Sequence, residues 1–287
     1  MSQVLSLGYS TCPNDTFIFG GLALGAVQPN GLRFEPFLAD VEVLNRYAKE
    51  ARLDVTKISF NALIHCLKDY WLLRSGGALG RGCGPIVVAK KPWAPQDLAT
   101  ATIAIPGRLT TANLLLELSG LHRGERVEMS FEKVMPAVAA EEVDAGLVIH
   151  EGRFTYENLG LSLVLDLGAW WESRTGYPLP LGCIVIRRRL GRHTAELMDR
   201  AIVESLDWAR EHPDQVWPYI EAHAQEMASD IIARHIQTFV NEFSRDVGTE
   251  GQRAVRRLLD EAARIAGVSL PDVPIFWTDS LPQNEVL

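Results

Sequence analysis

The stretch Ala145-Gly146-Leu147-Val148-Ile149-His150-Glu151-Gly152-Arg153-Phe154-Thr155-Tyr156 decides how the rest of the chain is read. Small and apolar residues run without interruption into a histidine, and polar and aromatic residues follow at once. A short continuous apolar run of this kind is a strand buried on both faces, the signature of an α/β sheet and not of an amphipathic strand. His150 then stands where the strand leaves the core, and in α/β proteins the strand ends are where ligands meet the chain. On these residues alone two roles fit His150: a core-edge histidine satisfied by a backbone carbonyl, or a member of a site.

The flanking segments repeat the pattern. Thr102–Ile105 reads as a strand, Leu109–Ser119 as a leucine-rich helix, Val127–Phe131 as a strand and Lys133–Glu142 as a helix broken or bent at Pro136. With Ala145–Ile149 and Leu161–Leu165, this β-α-β-α-β order predicts right-handed crossovers and a mostly parallel sheet. Two proline-stiffened segments, Lys90–Pro95 and Tyr177–Pro180, bracket the unit, and each adjoins an apolar strand, Ile86–Ala89 and Cys183–Ile186.

Upstream, Val4–Leu7 and Leu32–Leu38 read as strands, with a helix between them that Asn14 or Asp15 caps. Asp40 caps a helix carrying Val43, Leu44 and Tyr47 on one face. Leu53–Ile58 is a strand, and Ser59 caps a helix with Phe60, Leu63, Ile64 and Leu67. Downstream of Arg189 the chain is helical to about Ala266, and a tail with Pro271, Pro274 and Pro282 is extended. The expected architecture is two α/β lobes with a ligand cleft between them: residues 1–90 with 182–287 form the larger, and 91–181 the smaller, inserted one. A single α/β domain with a long insertion is the competing arrangement.

Composition bounds the function. The net charge of −8 over 287 residues argues against nucleic acid. No run approaches the ~20 apolar residues of a membrane span. The N-terminus lacks the basic and apolar regions of a signal peptide. Four dispersed cysteines, with no C-x-x-C pair, suggest neither a disulfide scaffold nor a zinc knuckle. A reduced, cytoplasmic protein is expected; its oligomeric state is not readable.

Three strand-to-helix junctions are candidate ligand sites: Tyr9–Asp15, Thr56–Ser59 and Ile105–Ala112. Each puts small hydroxyl or amide residues beside a helix N-terminus, where unpaired N–H groups and the helix dipole favour an anion. Lys57 adds a full positive charge for a carboxylate. Ordinary capping explains any one junction alone. Gly80-Arg81-Gly82-Cys83-Gly84 resembles a dinucleotide loop, but a strand follows it instead of a helix, so close backbone approach is its expected role. His150-Glu151 is no zinc motif, because Phe154 stands at the fourth position after the histidine. The other six histidines read mainly as helix-surface residues. His150 remains, with an ordinary pKa near ~6.5, as a candidate general base.

These strings together resemble one family, the 1,4-dihydroxy-6-naphthoate synthases of the futalosine route to menaquinone. The matching segments are Gly8–Phe17, Thr56–Ser59, Arg74–Pro85, Ile105–Ala112, Gly146–Tyr156 and Leu167–Gly182, in the family's order over most of the chain. Thr11, where the family pattern has proline, and Asn61 are mild departures. The resemblance implies a periplasmic-binding-protein-like (type II) fold and cleavage of cyclic dehypoxanthine futalosine to the dihydroxynaphthoate and dihydroxyacetone, with no metal or organic cofactor. It implies that His150 is the proton acceptor and that Lys57, Ile58 and Ser59, with Thr110, Thr111 and Ala112, contact the substrate carboxylate and its surroundings. Asn14 and Asp15 stand where sugar hydroxyls would bind. The competing readings are a cytoplasmic carboxylate-binding protein and the sister dehydratase of the same pathway on the same fold.

Overall fold

In a computed structural model, residues 3–225 and 228–280 are described. The chain opens with β1 (Gln3–Tyr9), α1 (Pro13–Ala23), β2 (Leu32–Leu38), α2 (Val41–Lys49) and β3 (Val55–Ser59). A single turn, α3 (Phe60–Leu63), and two short strands, β4 (Tyr70–Leu72) and β5 (Ala78–Gly80), follow. The middle third comprises β6 (Ile86–Ala89), β7 (Ile103–Ile105), α4 (Thr111–Ser119), β8 (Arg126–Glu128), α5 (Phe131–Ala139) and β9 (Ala145–Val148). It closes with α6 (Gly152–Thr155), β10 (Ser162–Asp166) and α7 (Leu167–Thr175). β11 (Leu179–Arg187) returns, and α8 (Gly191–Glu211), α9 (Pro213–His223), α10 (Ser229–Phe239), α11 (Glu242–Arg245) and α12 (Gly248–Ala266) complete the chain.

The strands form two sheets. The first is ordered β2-β1-β3-β11-β4, with β5 also paired to β11; the second is β10-β6-β9-β7-β8. β1 is parallel to β2 and β3, and β7 is parallel to β8 and β9, as strand–helix–strand crossovers require. β6 and β10 run antiparallel to their neighbours, so the second sheet is only half parallel: neither strand belongs to the crossover series. β6 lies hydrogen-bonded between β9 and β10, which puts the outward crossing before Ile86, and β11 is wholly in the first sheet. One continuous core joins both sheets through Ile58, Val87, Leu147 and Val185, all essentially inaccessible.

Local chemistry explains several boundaries. The Asp40 carboxylate accepts the Glu42 N–H and starts α2. Thr110 Oγ1 accepts the Asn113 N–H and starts α4, and Gly120 ends it in the left-handed region. Neither Asn14 nor Asp15 caps α1; Cys12 is the N-cap with Pro13 in the first turn, and Asp15 is buried inside it. Ser59 stands at the N-cap of α3 without a side-chain cap bond, and α3 ends at Leu63 instead of reaching Leu67. α5 runs through Pro136 unbroken. The glycine-rich segment brings two backbones together: a Cβ on Gly84 would meet the Gly168 Cα at 2.2 Å. Of the tail, Phe276 is fully buried and pairs with Leu72, and Pro282 lies outside the described residues. Among those residues no helix is long and apolar enough to cross a membrane.

Candidate functional site

A cleft between the two sheets encloses about 670 Å³, counting the space open to solvent at its mouth. Lys57, Ile58, Ser59, Thr110, Thr111, Ala112 and His150, the seven residues singled out from sequence, all line it. β3 supplies the first three at its C-terminal end, the start of α4 supplies the next three, and the residues after β9 supply His150. Asn14 and Asp15 line the same cleft from α1.

The junctions are tied to one another by buried hydrogen bonds. Asn45 Oδ1 accepts the Ser59 N–H at 2.8 Å, and Asn45 Nδ2 donates to Ser59 Oγ and to the Glu42 carboxylate, each at 3.2 Å. Glu42 in turn accepts the Leu109 N–H at 3.2 Å, which holds the turn before α4 against α2. Burial pushes the Glu42 carboxyl up from its ordinary value. Gly107, at φ 151°, is required here, because a Cβ would meet the Glu42 carboxylate at 2.4 Å. Thr111 Oγ1 donates to the Leu181 carbonyl at 2.7 Å, clamping α4 to β11. The first amides of α4, at Thr111 and Ala112, have no acceptor within their own helix and face an anion-favouring position.

Lys57 departs from its expected role. Its ammonium is buried and lies 2.6 Å from Asp15 Oδ1 and 3.3 Å from the Gly76 carbonyl. Asp15 also accepts the Ser10 N–H at 3.1 Å and the Ser10 hydroxyl at 2.7 Å. The lysine charge is therefore already balanced, and a carboxylate ligand would meet an ion pair, not a lone cation.

His150 adopts φ 59°, a left-handed conformation rare for a residue with a Cβ. Such strain is held where the surrounding structure over-determines it, often at a site. Its ring packs on Phe131 at 4.9 Å between centroids, and Cys12 Sγ lies 2.8 Å from Nδ1 and 3.9 Å from Nε2. Burial, with a smaller contribution from the Lys57 charge against the opposing pull of Asp15, pushes its pKa down to about 4. Burial, with the negative charges of Glu151 and Asp15, holds the Cys12 thiol well above its usual range, so the pair is neutral: a thiol beside an unprotonated imidazole. An unprotonated imidazole can accept a proton from a ligand in the cleft.

Two of the histidines set aside from sequence are buried, and one lines the cleft. His122 bonds the Ala101 carbonyl at 2.9 Å, away from the site. His235, 1% exposed, lies 6.0 Å from the His150 ring with its plane inclined by 22°. Its Nε2 is 2.9 Å from Asn14 Oδ1. The signal was in the sequence: His235 shares the buried stripe of α10 with Ile232 and Phe239, so it is not on the helix surface. Cys12, inside the Tyr9–Asp15 junction, carries no local sign of its partner. Among the described residues, no group of three or more histidine, cysteine, aspartate or glutamate side chains is arranged to hold a metal ion.

A family model described as menaquinone biosynthesis matches residues 5–264. A 1,4-dihydroxy-6-naphthoate synthase of Thermus thermophilus is 50% identical over 275 residues, covering 96% of this chain and 99% of the relative. The enzyme of the same name from Streptomyces coelicolor is 44% identical over 267 residues, covering 91% and 94%. A solved structure of a protein from Archaeoglobus fulgidus superposes with a TM-score of 0.85 at 37% identity, covering 92% of this chain and 98% of that one. The periplasmic aliphatic sulphonate binding protein of Escherichia coli superposes with a TM-score of 0.67 at 12% identity, covering 100% and 96%. This last likeness bears on fold alone: the architecture is that of the periplasmic binding proteins.

Proposed function

Since the chain belongs to the 1,4-dihydroxy-6-naphthoate synthase family of menaquinone biosynthesis, we propose that it is a carbon–carbon lyase. Its substrate is cyclic dehypoxanthine futalosine, its products are 1,4-dihydroxy-6-naphthoate and dihydroxyacetone, and His150 is its base. The reaction needs neither a metal nor an organic cofactor. The observation that carries this reading is the convergence of His150, the β3 end and the α4 start on one cleft.

The substrate carboxylate docks at the α4 N-terminus, where the Thr111 and Ala112 amides and the helix dipole receive it. The Asp15–Lys57 pair and Asn14 line the cleft as polar groups for the sugar portion. His150 is unprotonated at neutral pH, so every molecule is ready to accept a proton. A pKa near 4 makes the free imidazole a weak base. The negative charge of the bound substrate stabilises the imidazolium and raises that value in the complex. Proton removal from a substrate hydroxyl starts a retro-aldol cleavage: the carbon–carbon bond breaks, its electrons enter the ring system, and aromatisation drives the step. The protein supplies position and one base.

The test is incubation of the purified protein with cyclic dehypoxanthine futalosine, followed by naphthoate absorbance and mass spectrometry of the three-carbon fragment. Stoichiometric appearance of both products supports the lyase. Saturable binding without turnover would instead identify a carboxylate-binding protein. Turnover of an enolpyruvyl ether in its place would identify the sister dehydratase.

A further inference from the structure

We infer that His235 is a positioning residue of this cleft: through its Nε2–H it fixes the orientation of Asn14, and through Asn14 that of the Asp15–Lys57 pair. The inference rests on the lyase reading only for its kinetic assay.

The hydrogen-bond polarity follows from the one partner that cannot donate. Asp15 is a carboxylate that receives the Lys57 ammonium at 2.6 Å, so it only accepts. Asn14 lies 2.9 Å from Asp15 Oδ1 and must offer it the amide Nδ2. The Asn14 oxygen therefore faces His235 Nε2 at 2.9 Å, and that nitrogen must carry the hydrogen. Rotating the Asn14 amide by half a turn would put its oxygen against Asp15 and its NH2 against the His235 N–H, two repulsive contacts in one step. One N–H thus fixes a directed chain His235 → Asn14 → Asp15 ← Lys57, and all four residues line the cleft.

His235 is suited to hold this position. It is 1% exposed, its ring packs on Phe239 one turn further along α10 at 4.6 Å between centroids, and it lies against His150 at 6.0 Å. Among the described residues its Nδ1 makes no hydrogen bond, and it lies 3.5 Å from Glu151 Oε2. Nε2 carries the hydrogen that the Asn14 oxygen receives, so the neutral ring is the Nε2–H tautomer.

Two variants and one spectrum test this. His235→Gln keeps an N–H donor near Nε2; His235→Leu removes it and leaves the buried Asn14 oxygen without a donor. The expected result is a Gln variant within about threefold of the parent, and a Leu variant whose KM rises about 10- to 100-fold while kcat changes little. Equal loss of kcat in both variants would make His235 a proton carrier and overturn the proposal. Parental kinetics in both would overturn it as well. In the unsubstituted protein at pH 7, long-range 15N–1H correlation spectra should show His235 as the neutral Nε2–H tautomer. An imidazolium or the Nδ1–H tautomer would refute the chain whatever the kinetics show. If the unsubstituted protein does not turn over the substrate, the lyase reading fails, and the spectrum still decides the role of His235.

Discussion

The depressed pKa of His150 predicts a specific coupling between acidity, stability and activity. Unfolded, this histidine takes up its proton near 6.5; folded, it does so only near 4. Between those values the unfolded state holds more protons, so stability falls as pH falls through this window and levels off below it. At about 1.4 kcal/mol per pH unit the full window would be worth about 3 kcal/mol. The residue as a whole is half-buried, and solvent screening brings the expectation to on the order of 2 kcal/mol. The perturbation is His150→Asn, since asparagine tolerates the φ of 59° better than alanine does. Urea denaturation at pH 7 and pH 4.5 should show the parent losing about 2 kcal/mol more than the variant. Burial also pushes the His235 pKa well down in both proteins, and the His150 ring adds a lesser push in the parent alone. For the free enzyme, the acid limb of kcat/KM should fall near pH 4 instead of near 6.5. Parallel loss of stability in the two proteins, with an acid limb near 6.5, would refute the buried, neutral imidazole.

Two other perturbations probe the scaffold. Asp15→Asn strands the Lys57 ammonium in the interior and should cost about 3–5 kcal/mol in denaturant titrations, with the double variant Asp15→Asn/Lys57→Met regaining much of it; a loss below about 1 kcal/mol would mean the pair is solvated. Gly107→Ala, which drives a Cβ into the Glu42 carboxylate, should cost about 1–3 kcal/mol and raise KM by displacing the α4 turn. Gly160→Ala, at φ 67° with nothing within 4 Å, is the control for backbone strain alone and should leave KM unchanged.

What could be read along the chain was local chemistry. β2 occupies Leu32–Leu38 as its apolar pattern predicts, Asp40 caps the helix that follows it, and the run ending at Val148 is a fully buried strand. What could not be read was made by distant partners. β4 and β5 are three residues each and exist because β11 pairs with both. The expected free charge of Lys57 is cancelled by Asp15, 42 positions away, and Asn14 meets His235 across 221 positions. Cys12 reaches His150 across 138 positions, and only the folded cleft brings them together. The α10 histidine was hidden differently: its apolar-face spacing with Ile232 and Phe239 was present in the sequence, but a buried histidine looks the same whether it packs or positions.

The base assignment is tested most directly by turnover and binding of the His150→Asn variant on cyclic dehypoxanthine futalosine. Removal of a general base predicts a kcat lowered by about 10²- to 10⁴-fold, with calorimetric affinity within about threefold of the parent because the α4 amides are untouched. A variant that binds normally and keeps a near-parental kcat would contradict the account.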